Sequence, residues 1–377
     1  MANNFQNPVV YTNDCLRILK NNIIFANKIS RAQEDQFAKA GMKIGDTINI
    51  RRPARFSVIT GQAFSAQDYI ETSVPLVVNL QKHVDTQFTS SDMTLKLQDF
   101  SDRVLKPKMV QLAQQADIDG YINAKNTVGN LTGTVGTFPN NVSFLFDVGT
   151  RMDDFSVPRD GDRYAAFDQR STSSLIQSMT GFFNPQDKVG KQLNEAVWID
   201  ATNTVGLKIG MSQNVARHTV GPLGGAPVVN GAAQGLTQGW ANQGTLITNT
   251  WTAAAAPRVA AGDVFTIVGL NSVNPVSKQN TGQLMQFVCI QAQSSDAAGN
   301  LTLNISPAII TAGPYQNVVA SPTSGNALTF VGAANQVAAR NISWHKDAFS
   351  AAFVPLVDLA FAGGWGAVKS QDGFSVR

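Results

Sequence analysis

The sequence predicts a mixed α+β chain: a body of helices and strands into which a separate β-rich module is set. Three observations carry this. Of 29 basic and 26 acidic residues, only Arg258, Asp263, Lys278 and Asp296 fall within 220–339, a block rich in Gly, Ala, Asn, Gln, Ser and Thr. Within it, short extended runs (VFTIVGL, QLMQFVCIQA, NLTLNISPAII, ALTFVG) alternate with Gly-, Asn- and Pro-rich turns, the spacing of a small barrel or sandwich. The flanks keep ordinary charge and helical periodicity. At 377 residues the chain exceeds one hydrophobic core, so two or three domains are expected.

Residues 13–27 read as a short amphipathic helix, with Leu16, Leu19, Ile23 and Ala26 at three- and four-residue steps behind a Thr12 or Asn13 cap. The arm that continues to Gly41 is too thin to make its own core, so it packs on its own body or on a neighbour. Gly45 opens a strand in which Ile48 and Ile50 alternate with polar residues and which Pro53 stops. A polar excursion over 54–73 follows, and the chain runs extended again over 74–88. Compact domains join strands by short loops, so an excursion of this length suggests a reach across a neighbouring molecule.

Pro107 is poorly placed inside a helix, so the periodicity predicts a turn over 99–106 and a long helix starting at Pro107. Its expected face is Met109, Leu112, Ala116 and Asn123, with Ile122 alongside; Gly129 marks the exit. Helices are expected at 142–155, 169–181 and 185–195, a buried strand at 163–168, and another at AVWID (196–200). The β-rich block then runs from Val220 to Ala339, after which charged residues resume. No internal repeat is present.

No chemistry emerges from the motifs. His83, His218 and His345 are scattered, without the spacing of a zinc site or a catalytic triad, and read as structural. GNLTGTVG (129–136) lacks the Lys-Ser/Thr of a phosphate loop and follows a helix, so it reads as a flexible turn. DIDG (117–120) fails as a calcium loop because Val128 stands where the bidentate acid belongs. Asp153 with Asp154, and Asp160 with Asp162, read as solvated loop carboxylates. No catalytic, cofactor-binding or metal-ligating residue is assigned, and the chain is not expected to be an enzyme.

Cys15 and Cys289 make no disulfide framework; reduced, buried thiols fit a cytoplasmic folding compartment. The N-terminus lacks the pattern of a secretory signal, and no stretch approaches the roughly 20 apolar residues of a membrane span. Five Asn-x-Ser/Thr triplets are expected by chance in this composition. A net charge of +3 supplies no overall field for nucleic acid. Arg51, Arg52 and Arg55 form the densest positive patch, open to phosphate binding or to intersubunit ion pairing from an extended loop. No aromatic platform accompanies them locally. The segment LTQGWANQGTLITNTWTAAAAP (236–257) reads as a long low-charge loop that reaches a neighbour. It adds Trp240 and Trp251 to the three arginines as intersubunit contact candidates.

Three blocks, GDTINIRRPARF (45–56), SDRVLKPKMVQLAQQADIDGYI (101–122) and NISWHKDAFSAAFVPL (341–356), occur in the order arm, loop, long helix, body, inserted module, body. This ordered set resembles the major capsid proteins of tailed bacteriophages, specifically coat proteins of the short-tailed Salmonella phage type, which carry an inserted β-barrel domain. The resemblance covers essentially the whole chain and implies the Hong Kong phage-type capsid fold. It implies an N-terminal arm at 1–44, an extended loop and peripheral-domain strands at 45–98, and a spine helix and peripheral domain at 99–141. The axial domain would begin at 142–219, the inserted barrel would occupy 220–339, and 340–377 would hold the axial return and the start of a C-terminal peripheral strand.

The resemblance further implies self-assembly into hexamers and pentamers of an icosahedral virion head. The shell would form as a procapsid around scaffolding protein in the host bacterial cytoplasm and expand as double-stranded DNA is packaged. A portal protein would occupy one vertex, decoration or other head proteins could join, the DNA would be contacted non-specifically, and neither a membrane nor a cofactor would take part. Another β-rich virion structural protein, such as a tail tube or surface adhesin, is the alternative; the long helix followed by a mixed body argues against it.

Overall fold

The computed structural model describes residues 13–19, 23–33, 47–58, 60–62, 64, 66, 71–84, 101–141, 143–179, 198–201, 206–354, 369–371 and 374–376. The chain divides into two compact units, one of residues 1–50, 73–120 and 346–377, the other of 51–72 and 121–345. The helix expected at 185–195 and the extended run at 85–88 lie outside the described residues.

In the first unit, residues 13–19 are helical. Leu16, Leu19, Ile23 and Ala26 close around Ala113, while Cys15 and Ile18 meet Met109. The described part of the arm therefore packs on its own chain. Helix α1 (Lys106–Thr127) continues directly from a π-helical turn at Ser101–Leu105, and the wider turn precedes Pro107, whose ring cannot donate an N–H to the preceding turn. The buried stripe of α1 is Met109, Ala113, Asp117, Tyr121 and Ala124. This differs from the expected face: Asn123 and Ile122 are exposed, and Leu112 and Ala116 only half-buried. The reason is Asp117, which an apolar pattern passes over.

The Asp117 carboxylate accepts the backbone N–H groups of Ile24 (2.8 Å), Phe25 (3.1 Å) and Ala26 (3.2 Å). It thereby caps the 3-10 turn Ala26–Lys28 with a side chain from another element. Burial pushes this carboxyl up from its ordinary range, and the three N–H donors pull it back. At Gly120 a Cβ would lie 2.7 Å from the Phe25 ring, so only glycine admits the arm this closely. DIDG is thus a docking device for the arm. Beyond it, Ser30 donates to the Lys346 carbonyl (3.0 Å) and accepts from the Ala351 N–H (3.1 Å).

Strands β1 (Thr47–Arg52) and β2 (Thr72–Val77) pair in a two-stranded sheet around the expected excursion, and Pro53 ends β1. The second strand is shorter than the sequence suggested, since 78–84 are not in a strand.

The second unit opens with α2 (Ser143–Asp154), β3 (Arg163–Phe167), α3 (Gln169–Met179), β4 (Trp198–Ala201) and β5 (Leu207–Met211). β6 (Arg217–Thr219) leads into the charge-poor block. There the strands are β7 (Gly225–Val229), β8 (Gly244–Trp251), β9 (Pro257–Val259), β10 (Val264–Val273), β11 (Asn280–Cys289), β12 (Gln293–Ser294), β13 (Leu301–Ser306) and β14 (Leu328–Phe330). β15 (Val337–Ala339) returns antiparallel to β6, with His218 opposite Ala338, and β16 (Ile342–His345) rejoins the body. A terminal pair, β17 (Lys369–Gln371) and β18 (Phe374–Val376), closes the described chain.

Six strands form one antiparallel sheet in the order β14-β10-β11-β13-β8-β7. A bridge from Val228 to Ala327 brings the first strand beside the last, giving a nearly closed barrel. Closure leaves few unpaired edges, which suits a module with little charge to guard them. Inward residues alternate along the strands, as in Leu301, Leu303 and Ile305 of β13. They join Leu246, Phe265, Ile267, Met285 and Phe287 in the core. The Phe265 ring lies 5.8 Å from Phe287 and 5.3 Å from Phe330.

The barrel corrects one expectation. The segment 236–257 is not a single long loop, because β8 occupies its centre and pairs with β13 on one side and β7 on the other. Along β8, Leu246, Thr248 and Trp251 are buried while their neighbours, the apolar Ile247 included, face out or lie half-buried.

The body sheet has the order β16-β3-β5-β4, with β3 and β5 parallel. Helices α2 and α3 supply Leu145, Val148 and Leu175 to a core with Ala165, Phe167, Leu207 and Ile209. The carboxylates before β3, Asp153 at the end of α2 and Asp160 in the loop, are not simply solvated. Asp153 binds Arg159 and the buried Arg163 (2.7 Å to the latter), and Asp160 meets His345 at 3.0 Å. The hydrogen bond from Arg159, reinforced by Arg163, holds the Asp153 carboxyl below its ordinary range. Its stabilisation is therefore present above the unfolded value near 3.9 and lost as pH falls through the lower folded value. We expect Asp153→Asn to cost about 1 kcal/mol at neutral pH and the gap to wild type to narrow as pH falls from about 3.9 through the lower folded value. Urea unfolding across that range checks this; a gap independent of pH would contradict it.

Candidate assembly surface

The charge-poor block does not leave its four charges for partners. Arg258 donates to Ser295 Oγ (2.9 Å) and to the carbonyls of Leu223 (3.1 Å) and Thr252 (2.9 Å). Asp296 accepts from the Ala298 (2.9 Å) and Asn300 (2.7 Å) N–H groups of its own turn. Lys278 Nζ reaches the Pro314 carbonyl at 2.6 Å. Asp263 accepts the N–H groups of Ala260 (2.7 Å) and Gly221 (3.0 Å) and lies 2.8 Å from His218 Nε2. All four make ties within the chain, Arg258 and Asp263 buried and Lys278 and Asp296 nearer the surface, so the barrel exterior carries few charges and associates through shape and polar contact with little electrostatic steering.

Asp263 and His218 sit where the chain passes from β6 into the barrel, and each is 1% exposed. Lys125 and Arg340 share this neighbourhood: burial lowers the pKa of both, and the Asp263 charge opposes that. At Gly221 a Cβ would stand 2.5 Å from the Arg258 carbonyl, so the neck is closely packed backbone. The turn 129–136, expected to be flexible, is strapped to the barrel. Gln286 exchanges hydrogen bonds with the Leu131 N–H (2.6 Å) and carbonyl (3.0 Å), and Gln336 donates to the Val135 carbonyl (3.0 Å).

The five contact candidates separate into different roles. Arg51 pairs with Glu71 at 3.1 Å, both exposed, an arrangement that contributes little by itself. Arg52 continues the inward-facing row of Ile48 and Ile50 along β1, and its guanidinium lies 5.0 Å from the Trp240 ring centroid. Arg55 lies 6.0 Å from the Tyr315 ring. Trp240 packs against the cluster of Ala308, Ile310 and Tyr315. Burial, then the Arg55 charge, lowers the Arg52 pKa. The aromatic platform missing from the local sequence is thus supplied by the barrel.

Trp251 leaves the candidate set. It is 3% exposed, in edge contact with Phe330, with Nε1 bonded to Thr248 Oγ1 at 2.8 Å. Sequence reasoning missed Tyr315 and Glu71, for no local spacing links either to the arginines. Past the seam the loop presents Phe56 (61% exposed), Val58 (98%) and Phe64 (94%) to solvent.

Other chemistry is sparse. Both cysteines are free and buried; burial pushes the Cys15 thiol up to about 11 and the Cys289 thiol further, so neither is a ready nucleophile. Among the described residues no cluster of His, Cys, Asp or Glu could hold a metal ion, and no helix is long and apolar enough to cross a membrane.

A family model described as "P22 coat protein - gene protein 5" matches residues 1–376. Among solved structures, the CUS-3 coat protein I-domain is 28% identical over 28% of this chain and 94% of its own, with a TM-score of 0.22. A Mycobacterium phage Che8 structure is 14% identical over 84% of this chain and 89% of its own, with a TM-score of 0.36. No curated protein matches.

Proposed function

Since the chain belongs to the P22 coat protein family, a family of structural capsid proteins and not of enzymes, we propose that it is the major subunit of an icosahedral phage head. In this reading it has the Hong Kong phage-type fold, with α1 as spine helix, the β1–β2 excursion as extended loop, and 142–219 with 340–365 as axial domain. The barrel is an insertion whose chain leaves beside Val220 and returns beside Arg340. The pairing of β6 with β15 supports those boundaries, because it places the outgoing and returning strands side by side.

Subunits gather into hexamers and pentamers around scaffolding protein, and the shell expands as double-stranded DNA enters through a portal. No step requires catalysis. Many weak contacts repeated over a closed lattice supply the stability. Arg51, Arg52, Arg55 and Trp240 remain the proposed intersubunit contacts. Family membership across essentially the whole chain is the observation that carries the reading. Electron microscopy of the purified protein, alone and with its scaffolding partner, tests it. Closed shells of uniform diameter are expected; tubes would favour a tail protein, and a persistent small monomer would overturn both readings.

A further inference from the structure

We propose a modification site on the barrel: the Asn230–Gly231 turn converts itself, with water, to aspartate and isoaspartate, and Gln234 promotes the step.

The pair Asn-Gly occurs once in the chain, directly after β7. Both residues are exposed, and Gly231 takes a φ of 99°, a conformation that suits a residue without a Cβ. No side chain of its own therefore blocks an approach of its nitrogen. Among the described residues no hydrogen bond holds the Asn230 side-chain amide, so its Cγ can turn toward that nitrogen. The Gly231 N–H is only weakly engaged, at 3.3 Å from Ser324 Oγ, past the usual range for such a bond.

The donor beside the turn is held firmly. Gln234 Oε1 accepts the Ile247 N–H (2.6 Å), which leaves Nε2 as the donor. Nε2 gives its shortest hydrogen bond, 2.7 Å, to the Asn230 carbonyl, and lies farther from the carbonyls of Ile247 (3.1 Å) and Gly231 (3.3 Å). The Asn230 carbonyl belongs to the same peptide group as the Gly231 nitrogen. When that nitrogen loses its proton, the negative charge is shared with this oxygen, and a donor already in place stabilises it.

The step needs no reagent but water. The Gly231 N–H gives its proton to solvent hydroxide, and the nitrogen attacks Asn230 Cγ. A Cγ–N bond forms and closes a succinimide ring; the Cγ–Nδ2 bond breaks, and Nδ2 takes a proton from water and leaves as ammonia. Water then opens the ring at either carbonyl, at Cγ to aspartate or at the main-chain carbon to isoaspartate. Either product alters the place where the barrel closes. Aspartate adds a charge to a block that has four. Isoaspartate lengthens the main chain by a methylene beside two hydrogen bonds, Asn230 N–H to Ile247 (2.9 Å) and Val229 N–H to Asn326 (2.9 Å).

Ageing the full-length protein in mildly alkaline buffer, followed by tryptic digestion and fragment masses, tests this. The peptide 218–258 also holds Asn242 and Asn249, which serve as internal references. Conversion of amide to acid is expected to run about ten-fold faster at Asn230 than at either reference, with isoaspartate among the products. Gln234→Ala separates promotion from mere support. If Gln234 only steadied the turn, its loss would loosen the turn and speed conversion; as a donor to the reacting peptide group, its loss slows conversion several-fold. Conversion at Asn230 no faster than at Asn242 and Asn249 would overturn the proposal, as would an unchanged or faster rate in Gln234→Ala. If that variant does not fold by circular dichroism, Gln234→Glu takes its place with the same expectation, since it keeps an acceptor for the Ile247 N–H and loses the donor.

Discussion

Replacing Asp263 by alanine is expected to destabilise the second unit by about 3–5 kcal/mol. The residue is the buried acid of the barrel's neck, and it satisfies two backbone donors and the His218 ring at once. Alanine would leave the N–H groups of Gly221 and Ala260 without acceptors where water does not reach. It would also remove the negative charge that opposes the burial of Lys125 and Arg340. Breaking one member of a buried charge set costs more than the set contributes net, because the remaining charges stay desolvated. Asp263→Asn keeps the shape and one acceptor oxygen, so it should lose less, about 2 kcal/mol. Urea unfolding followed by tryptophan fluorescence checks both, since Trp251 lies in the barrel core and reports its loss. A penalty for alanine below about 1 kcal/mol would show that the neck does not depend on this carboxylate.

The second large effect is expected at Asp117→Ala, in the first unit. Three consecutive backbone N–H groups at Ile24, Phe25 and Ala26 lose their shared acceptor. At about 1–3 kcal/mol for each buried donor left unpaired, offset by local relaxation, the arm should loosen from α1 at a cost of about 3–5 kcal/mol. The readout is local: amide hydrogen exchange at 23–29 should accelerate strongly, while the barrel strands keep their protection. Equal acceleration throughout, or none at 23–29, would contradict the capping role. Burial, the larger influence, leaves this carboxyl raised in spite of the three N–H donors. The sign is therefore opposite to that at Asp153: the penalty for Asp117→Ala should shrink as pH rises through the raised folded value.

Much of the architecture was legible from residue order. Pro53 and Pro107 punctuated β1 and α1 where the structure ends and begins them, and α2, β3 and α3 fall within a residue or two of their expected spans. The seam was only half legible: three arginines in RRPAR stood out, but their aromatic partners are distant in sequence. Trp251 stood among the contact candidates as part of the expected loop 236–257, and its strand, β8, turns it into the barrel core. The stripe on α1 was misplaced by a residue because Asp117, a charged side chain, occupies its centre.

The sequence by itself determined the chain's composition boundary, its helix and strand punctuation and its lack of catalytic chemistry, since these depend on local propensity, periodicity and residue type. Only the tertiary structure decided what the polar residues do. It turned Asp117 into a cap for the arm, and the four charges of the 220–339 block into ties. It made Trp240 with Tyr315 a face for arginine and closed six strands into a barrel. The physical reason is one of range. Apolar burial leaves a periodic trace along the chain, whereas a buried hydrogen bond or a guanidinium–aromatic contact depends on two groups meeting in space, and its partner leaves no mark nearby in sequence.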